Sequence, residues 1–109
     1  MRDASAGTTG DVYQAIADPT RRRILELLAE SERPVKELIG AFRVSQPAIS
    51  QHLRVLRQAG LVSERRAGRE RRYRLTPEPL LTVADWVEHY REFWQRRLAA
   101  LETYLKEET

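Results

Sequence analysis

Val44-Ser45-Gln46-Pro47-Ala48-Ile49-Ser50-Gln51-His52-Leu53-Arg54-Val55-Leu56-Arg57-Gln58-Ala59-Gly60-Leu61-Val62 reads as one capped amphipathic helix with its stop signal attached. Ser45 is an N-cap, since its hydroxyl can take a first-turn amide that has no carbonyl partner. Pro47 falls in that first turn, where a missing N–H costs little. Gly60 supplies the left-handed residue that ends the helix. Ile49, Leu53 and Leu56 recur at helical spacing, flanked by Val55, and form the face that buries. Gln46, Ser50, Gln51 and Arg54 are left on the outer side. A Gln amide can bond adenine through both of its polar atoms, and a Ser hydroxyl can reach a base edge or a phosphate. A helix of this composition suits the major groove of DNA.

Immediately downstream, residues 61–66 and 71–75 are two strand-like runs around Ala67-Gly68-Arg69-Glu70, which predicts a β-hairpin. Its arms and tip hold Arg65, Arg66, Arg69, Arg71, Arg72 and Arg74. Residues 43–74 carry nine Arg against two Glu, a net +7, whereas the rest of the chain sums to −4. The overall charge of +3 is therefore the weaker observation. A charge run alone is usually a solvated face, but this one follows a helix suited to base edges. That juxtaposition points to a polyanionic backbone as the partner.

Upstream, residues 1–10 are small and polar and are expected to be a disordered lead-in. Val12, Ala15 and Ile16 begin a short helix that Asp18-Pro19 stops. Asp18 then caps a second helix, with Pro19 at its first position and Ile24, Leu25, Leu27 and Leu28 at core spacing. Arg21, Arg22 and Arg23 fall in its first turn, where the helix dipole disfavours cations. They read as solvated surface, with phosphate contact as the alternative. Ser31-Glu32-Arg33-Pro34 reads as a turn, and residues 35–42 as a short helix with Val35, Leu38, Ile39 and Phe42 inward. Arg43-Val44 joins it tightly to the capped helix, the spacing of a helix-turn-helix unit.

After Thr76-Pro77-Glu78-Pro79, residues 80–107 read as one long amphipathic helix. Val83, Val87, Tyr90, Trp94, Leu98, Leu101 and Leu105 step by four and three, and Trp86, Phe93, Ala100 and Tyr104 widen the stripe. An apolar face this broad needs more cover than a chain of 109 residues can give. Residues 80–109 are therefore expected to pair with the same segment of a second copy. Trp86, Tyr90, Trp94, Leu98, Leu101 and Leu105 would form that homodimer interface.

The chain has no Cys, which excludes disulfides, thiolate metal sites and cysteine nucleophiles. No apolar run approaches the roughly 20 residues of a membrane span, and the first residues lack a signal-peptide core. A soluble, cytoplasmic protein is expected. There is no Gly-rich phosphate loop, and neither histidine has a nucleophile and orienting acid in a hydrolase-type motif, so neither an enzyme nor a cofactor is expected. His52, inside the capped helix, reads as a packing or backbone-bonding residue.

Three stretches now carry a resemblance: residues 15–28, from Ala15-Ile16-Ala17-Asp18-Pro19 through Leu27-Leu28; residues 45–62; and the hairpin at 68–73. Together they resemble the ArsR/SmtB family of bacterial winged-helix repressors. The resemblance implies a mainly α fold with a small β-hairpin, a winged helix-turn-helix in the order α-α-α-α-β-β-α. Residues 11–79 would be the DNA-binding core and 80–109 the dimerisation helix. It further implies a dimer on a near-palindromic double-stranded operator, released by an inducer. Carried onto this chain, Ser45, Gln46, Ala48, Ser50, Gln51 and Arg54 become contacts of the recognition helix, and Arg69, Arg71 and Arg72 contacts of the wing.

The inducer is where the chain departs from the family pattern. The Cys-x-Cys by which many members sense thiophilic metals is absent from Val35-Lys36-Glu37-Leu38-Ile39. Other members bind zinc-like ions with Asp, His and Glu of the terminal helix, and Asp85, His89 and Glu92 here share roughly one face. One histidine is a poor ligand count for a four-coordinate site, so the three read as a solvated acidic face, with a metal site as the minor alternative. The chain is similar to the Cys-less, metal-independent branch. Trp86, Tyr90, Phe93 and Trp94 read as interface core, the commoner role of an aromatic stripe at helical spacing, with a ligand pocket as the minor alternative. A winged-helix interaction or architectural module without sequence readout is the competing function.

Overall fold

The computed structural model describes residues 11–108. The expected lead-in at 1–10 lies outside the described residues. Helix α1 (Val12–Ala15) is followed by α2 (Pro19–Glu30), β1 (Arg33–Pro34), α3 (Val35–Gly40) and α4 (Gln46–Gln58). The hairpin strands are β2 (Val62–Ala67) and β3 (Glu70–Leu75), and the chain continues into α5 (Leu80–Glu88) and α6 (Arg91–Glu108).

The caps act as their residue types predict. Asp18 accepts the Arg21 amide at 3.1 Å, with Pro19 opening α2 behind it. Ser45 accepts the Ala48 amide at 3.2 Å. At the far end of α4, Gly60 has φ +76°, its amide bonds to the Arg57 carbonyl at 3.0 Å, and the Leu61 amide bonds to the Leu56 carbonyl at 2.9 Å. This is the pair of bonds that closes a helix through a left-handed residue. It turns the chain so that Leu61 enters the core as β2 begins.

Ile24, Leu28, Leu38, Ile49, Leu53, Leu56, Leu61 and Tyr73 bury together, so α2, α3, α4 and the sheet share one core. Each of those Leu and Ile side chains removes about 1.5–3 kcal/mol worth of apolar surface from water. The sheet is antiparallel with order β1-β3-β2. Its third strand is a difference from the sequence expectation: Arg33 and Pro34 pair with Tyr73 and Arg72 instead of only turning. Proline is tolerated there because β1 is an edge. The hairpin turn is Gly68-Arg69, with positive φ at Gly68 alone, the sign pattern of a II′ turn.

The terminal segment is also different, two helices in place of one. The His89 ring Nδ1 takes the Asp85 carbonyl at 3.0 Å, the acceptor that a regular helix would give to the His89 amide. That amide bonds instead to the Trp86 carbonyl at 3.2 Å and the Tyr90 amide to Val87 at 2.9 Å, one tight turn before the helix resumes. α5 leans on α1 through a hydrogen bond from the Tyr13 hydroxyl to the Thr82 carbonyl and an edge contact of Tyr13 with Trp86. α6 buries none of its residues. The radius of gyration is 18.6 Å, against about 13 Å for a compact domain of about 100 residues.

Candidate nucleic-acid interface

Helix α4 presents Gln46, Ser50, Gln51 and Arg54 to solvent while Ile49, Leu53 and Leu56 anchor its other side. Gln46, Ser50 and Arg54 stand one turn apart in a row, with Gln51 beside them. No side chain of Gln46, Gln51 or Arg54 makes a hydrogen bond or ion pair among the described residues. Ala48 is half-buried, and the Ser45 hydroxyl is engaged as the cap.

His52 is the exception on this helix. Its Nδ1 meets the Arg21 guanidinium at 3.1 Å, and its Nε2 lies 3.9 Å from Asp18. Arg21 also donates to the Ala15 carbonyl at 2.7 Å and the Gln14 carbonyl at 3.0 Å, and Arg22 to Ile16 at 2.7 Å. These two arginines satisfy open carbonyls at the end of α1, Arg22 while exposed as expected and Arg21 while half-buried, which a solvated surface does not describe. Arg23 pairs with Glu26. The Asp18 carboxyl is held below the ordinary carboxylate range chiefly by the hydrogen bond from the Arg21 amide, which outweighs the opposing effect of burial, with weaker electrostatic help from His52 and Arg21.

Cross-strand register separates the wing arginines by face. Glu64 opposes Tyr73 and Arg66 opposes Arg71, and these share the side on which Tyr73 buries. Arg65 opposes Arg72 on the reverse side. Two like charges directly opposite repel, and here Glu32 stands between them. Its carboxylate takes Arg65 at 2.7 and 3.2 Å and Arg72 at 2.7 Å, while Glu70 takes Arg72 at 2.8 Å. The bonds from Arg65 and then Arg72 lower the Glu32 pKa, and those from Glu32 and then Glu70 raise that of Arg72.

On the Tyr73 side, Glu64 bridges Arg57 of α4 and Arg71 of β3. Of the expected wing contacts, Arg69 is uncommitted among the described residues, Arg71 is exposed with one partner, and Arg72 is half-buried between two carboxylates. Glu32 and Glu64 were not legible as counter-charges, because nothing in the local pattern distinguishes them from solvated acids.

The terminal helices expose Trp86, Tyr90, Trp94, Leu98, Leu101 and Leu105, with Trp94 58% and Leu98 62% accessible. Trp86, Val87, Tyr90 and Trp94 line a shallow, almost wholly apolar cleft beside the break. Asp85, His89 and Glu92 lie nearby, but no three His, Asp or Glu side chains among the described residues are grouped to hold a metal ion. No helix among the described residues is long and apolar enough to cross a membrane.

A helix-turn-helix flanked by a basic two-stranded arm defines a winged helix-turn-helix domain. Residues 18–64 match the model of the bacterial regulatory protein arsR family. The chain is 45% identical over 86 residues to the HTH-type transcriptional regulator Rv2034 of Mycobacterium tuberculosis, covering 79% of this chain and 78% of that protein. It is 46% identical over 81 residues to the HTH-type transcriptional repressor SmtB of the same organism, covering 73% of this chain but 60% of the relative's length. A solved homodimeric winged helix-turn-helix DNA-binding domain of a possible ArsR-family regulator from Mycobacterium bovis superposes with TM-score 0.60 at 30% identity, covering 79% of this chain and 80% of that one. The chain belongs to the ArsR family of bacterial transcriptional regulators.

Proposed function

We propose that this protein is a homodimeric, sequence-specific DNA-binding repressor of the cytoplasm, without catalytic activity. The observation that carries the reading is the exposed row Gln46, Ser50, Gln51 and Arg54, beside a wing whose Arg69 has no counter-charge among the described residues. Base edges are read by the row and phosphates by the arginines, so sequence and affinity have separate sources. The relatives' names as repressor and regulator, and the M. bovis domain's description as a DNA-binding homodimer, support the same reading.

Residues 11–79 act as the DNA-binding core and 80–109 as the dimerisation segment. The exposed stripe from Trp86 to Leu105 supports pairing with a second copy. A two-fold dimer sets two α4 helices about 34 Å apart in successive major grooves, so the operator is near-palindromic. The absence of Cys excludes a thiolate sensor, so the release signal acts by other chemistry.

The test is selection of genomic fragments by the purified protein, followed by fluorescence anisotropy against a scrambled duplex at about 150 mM salt. A dyad-symmetric site bound about a thousandfold more tightly is expected. Equal, weak binding to both duplexes would overturn specific repression and leave an architectural winged helix.

A further inference from the structure

Two clefts border the wing on the Tyr73 side. One lies between α4 and β3 and is lined by Ser50, Arg54, Arg57 and Arg71 with Val35 and Tyr73 among the other residues. The other lies between the start of α3 and the wing tip and is lined by Lys36, Arg66, Arg69, Glu70 and Arg71 with Pro34 and Val35. They share Val35 and Arg71 and so adjoin, making one basic groove surface that runs from the recognition helix toward the hairpin tip.

The charges along it are unbalanced. Glu64 is taken by Arg57 and Arg71, and Glu70 is engaged by Arg72 from the reverse face. Lys36, Arg54, Arg66 and Arg69 keep no carboxylate partner among the described residues. Lys36 is exposed and comes from α3, outside both elements expected to touch DNA. Four uncompensated cations along a groove opening beside the base-reading row match a run of phosphodiesters, which carries one negative charge per nucleotide.

We propose that this groove binds the phosphate backbone of one DNA strand between the major groove and the wing, and that Lys36 is a direct phosphate contact within it. Arg66 is its partner on the wing side, whereas Arg65 and Arg72, committed to Glu32 on the reverse face, bind no phosphate. The proposal rests on the DNA-binding reading above.

The test is anisotropy of the full-length protein on its selected duplex over a series of salt concentrations, for wild type, Lys36→Gln, Lys36→Arg, Arg66→Gln and a remote control, Arg96→Gln. Each lost phosphate contact makes the slope of log K against log[salt] shallower by about 0.9. Lys36→Gln and Arg66→Gln are each expected to show that change on both operator and scrambled DNA, Lys36→Arg to restore the wild-type slope, and Arg96→Gln to leave it unchanged. Wild-type slopes in both Lys36→Gln and Arg66→Gln would overturn the groove while leaving DNA binding intact. A wild-type protein with no salt-dependent DNA binding would overturn the reading beneath it. Lys36 and Arg66 are exposed, and an unchanged thermal melt separates a lost contact from a lost fold.

Discussion

Gln51 is the side chain on which readout can be tested with least disturbance, because it is exposed and bonded to nothing described. Gln51→Ala should cost about 1–3 kcal/mol on the selected site and nothing on random DNA, measured by anisotropy. Equal losses on both would remove it from base reading. Asp18 is tied to folding instead. Its carboxyl titrates below the ordinary value of about 4, so the stability it contributes is complete above that value and is lost as pH falls through the folded pKa. The melting temperature is therefore expected to hold from pH 7 to about 5 and to drop below about 4. Asp18→Asn, which keeps the cap but not the charge, should reduce that drop. An identical acid profile in wild type and variant would exclude Asp18 as a source.

Among the elements, the end of α4 makes the sharpest demand on a single position. Gly60 sits at φ +76°, and a Cβ there would meet only the Pro79 Cγ at an ordinary 3.6 Å, so the cost of a side chain is backbone strain and not crowding. Gly60→Ala is expected to lower stability by about 1–2 kcal/mol in urea denaturation. A neutral result would mean that the left-handed turn is not required. The wing depends on more distant contacts. Glu32, from the turn after α2, compensates the opposed Arg65 and Arg72, and Glu64 ties the hairpin to α4. Glu32→Gln should speed amide exchange in β2 and β3 while leaving α2 and α4 protected. Unchanged exchange would mean that the backbone ladder alone holds the arm.

For the whole molecule, α6 is the decisive feature, since it stands free of the core with its apolar stripe in water. The double change Leu98→Glu and Leu101→Glu is expected to shift sedimentation from dimer to monomer and to weaken operator binding about a hundredfold or more, as two half-sites lose their linkage. A dimer that survives would move the interface elsewhere. Sequence alone was enough for the elements whose causes are local: the caps at Asp18 and Ser45, the stop at Gly60, the periodic core of α2 and α4, and the arginine-rich hairpin. Each is decided by side chains within a turn or two of one another. The break at His89 is local too, since its ring nitrogen takes the Asp85 carbonyl four residues back, but an apolar period that runs on through it hides it in the sequence. Tertiary structure decided the rest. It added β1 at Arg33 and Pro34, which pairs across 40 residues with Tyr73. It turned Arg21 and Arg22 into caps for α1, and divided the wing arginines between Glu32 and the open groove. An arginine's charge can be read from its own position, but whether that charge is already neutralised depends on a carboxylate brought beside it by folding, and in this chain Glu32 reaches Arg65 and Arg72 across more than thirty residues.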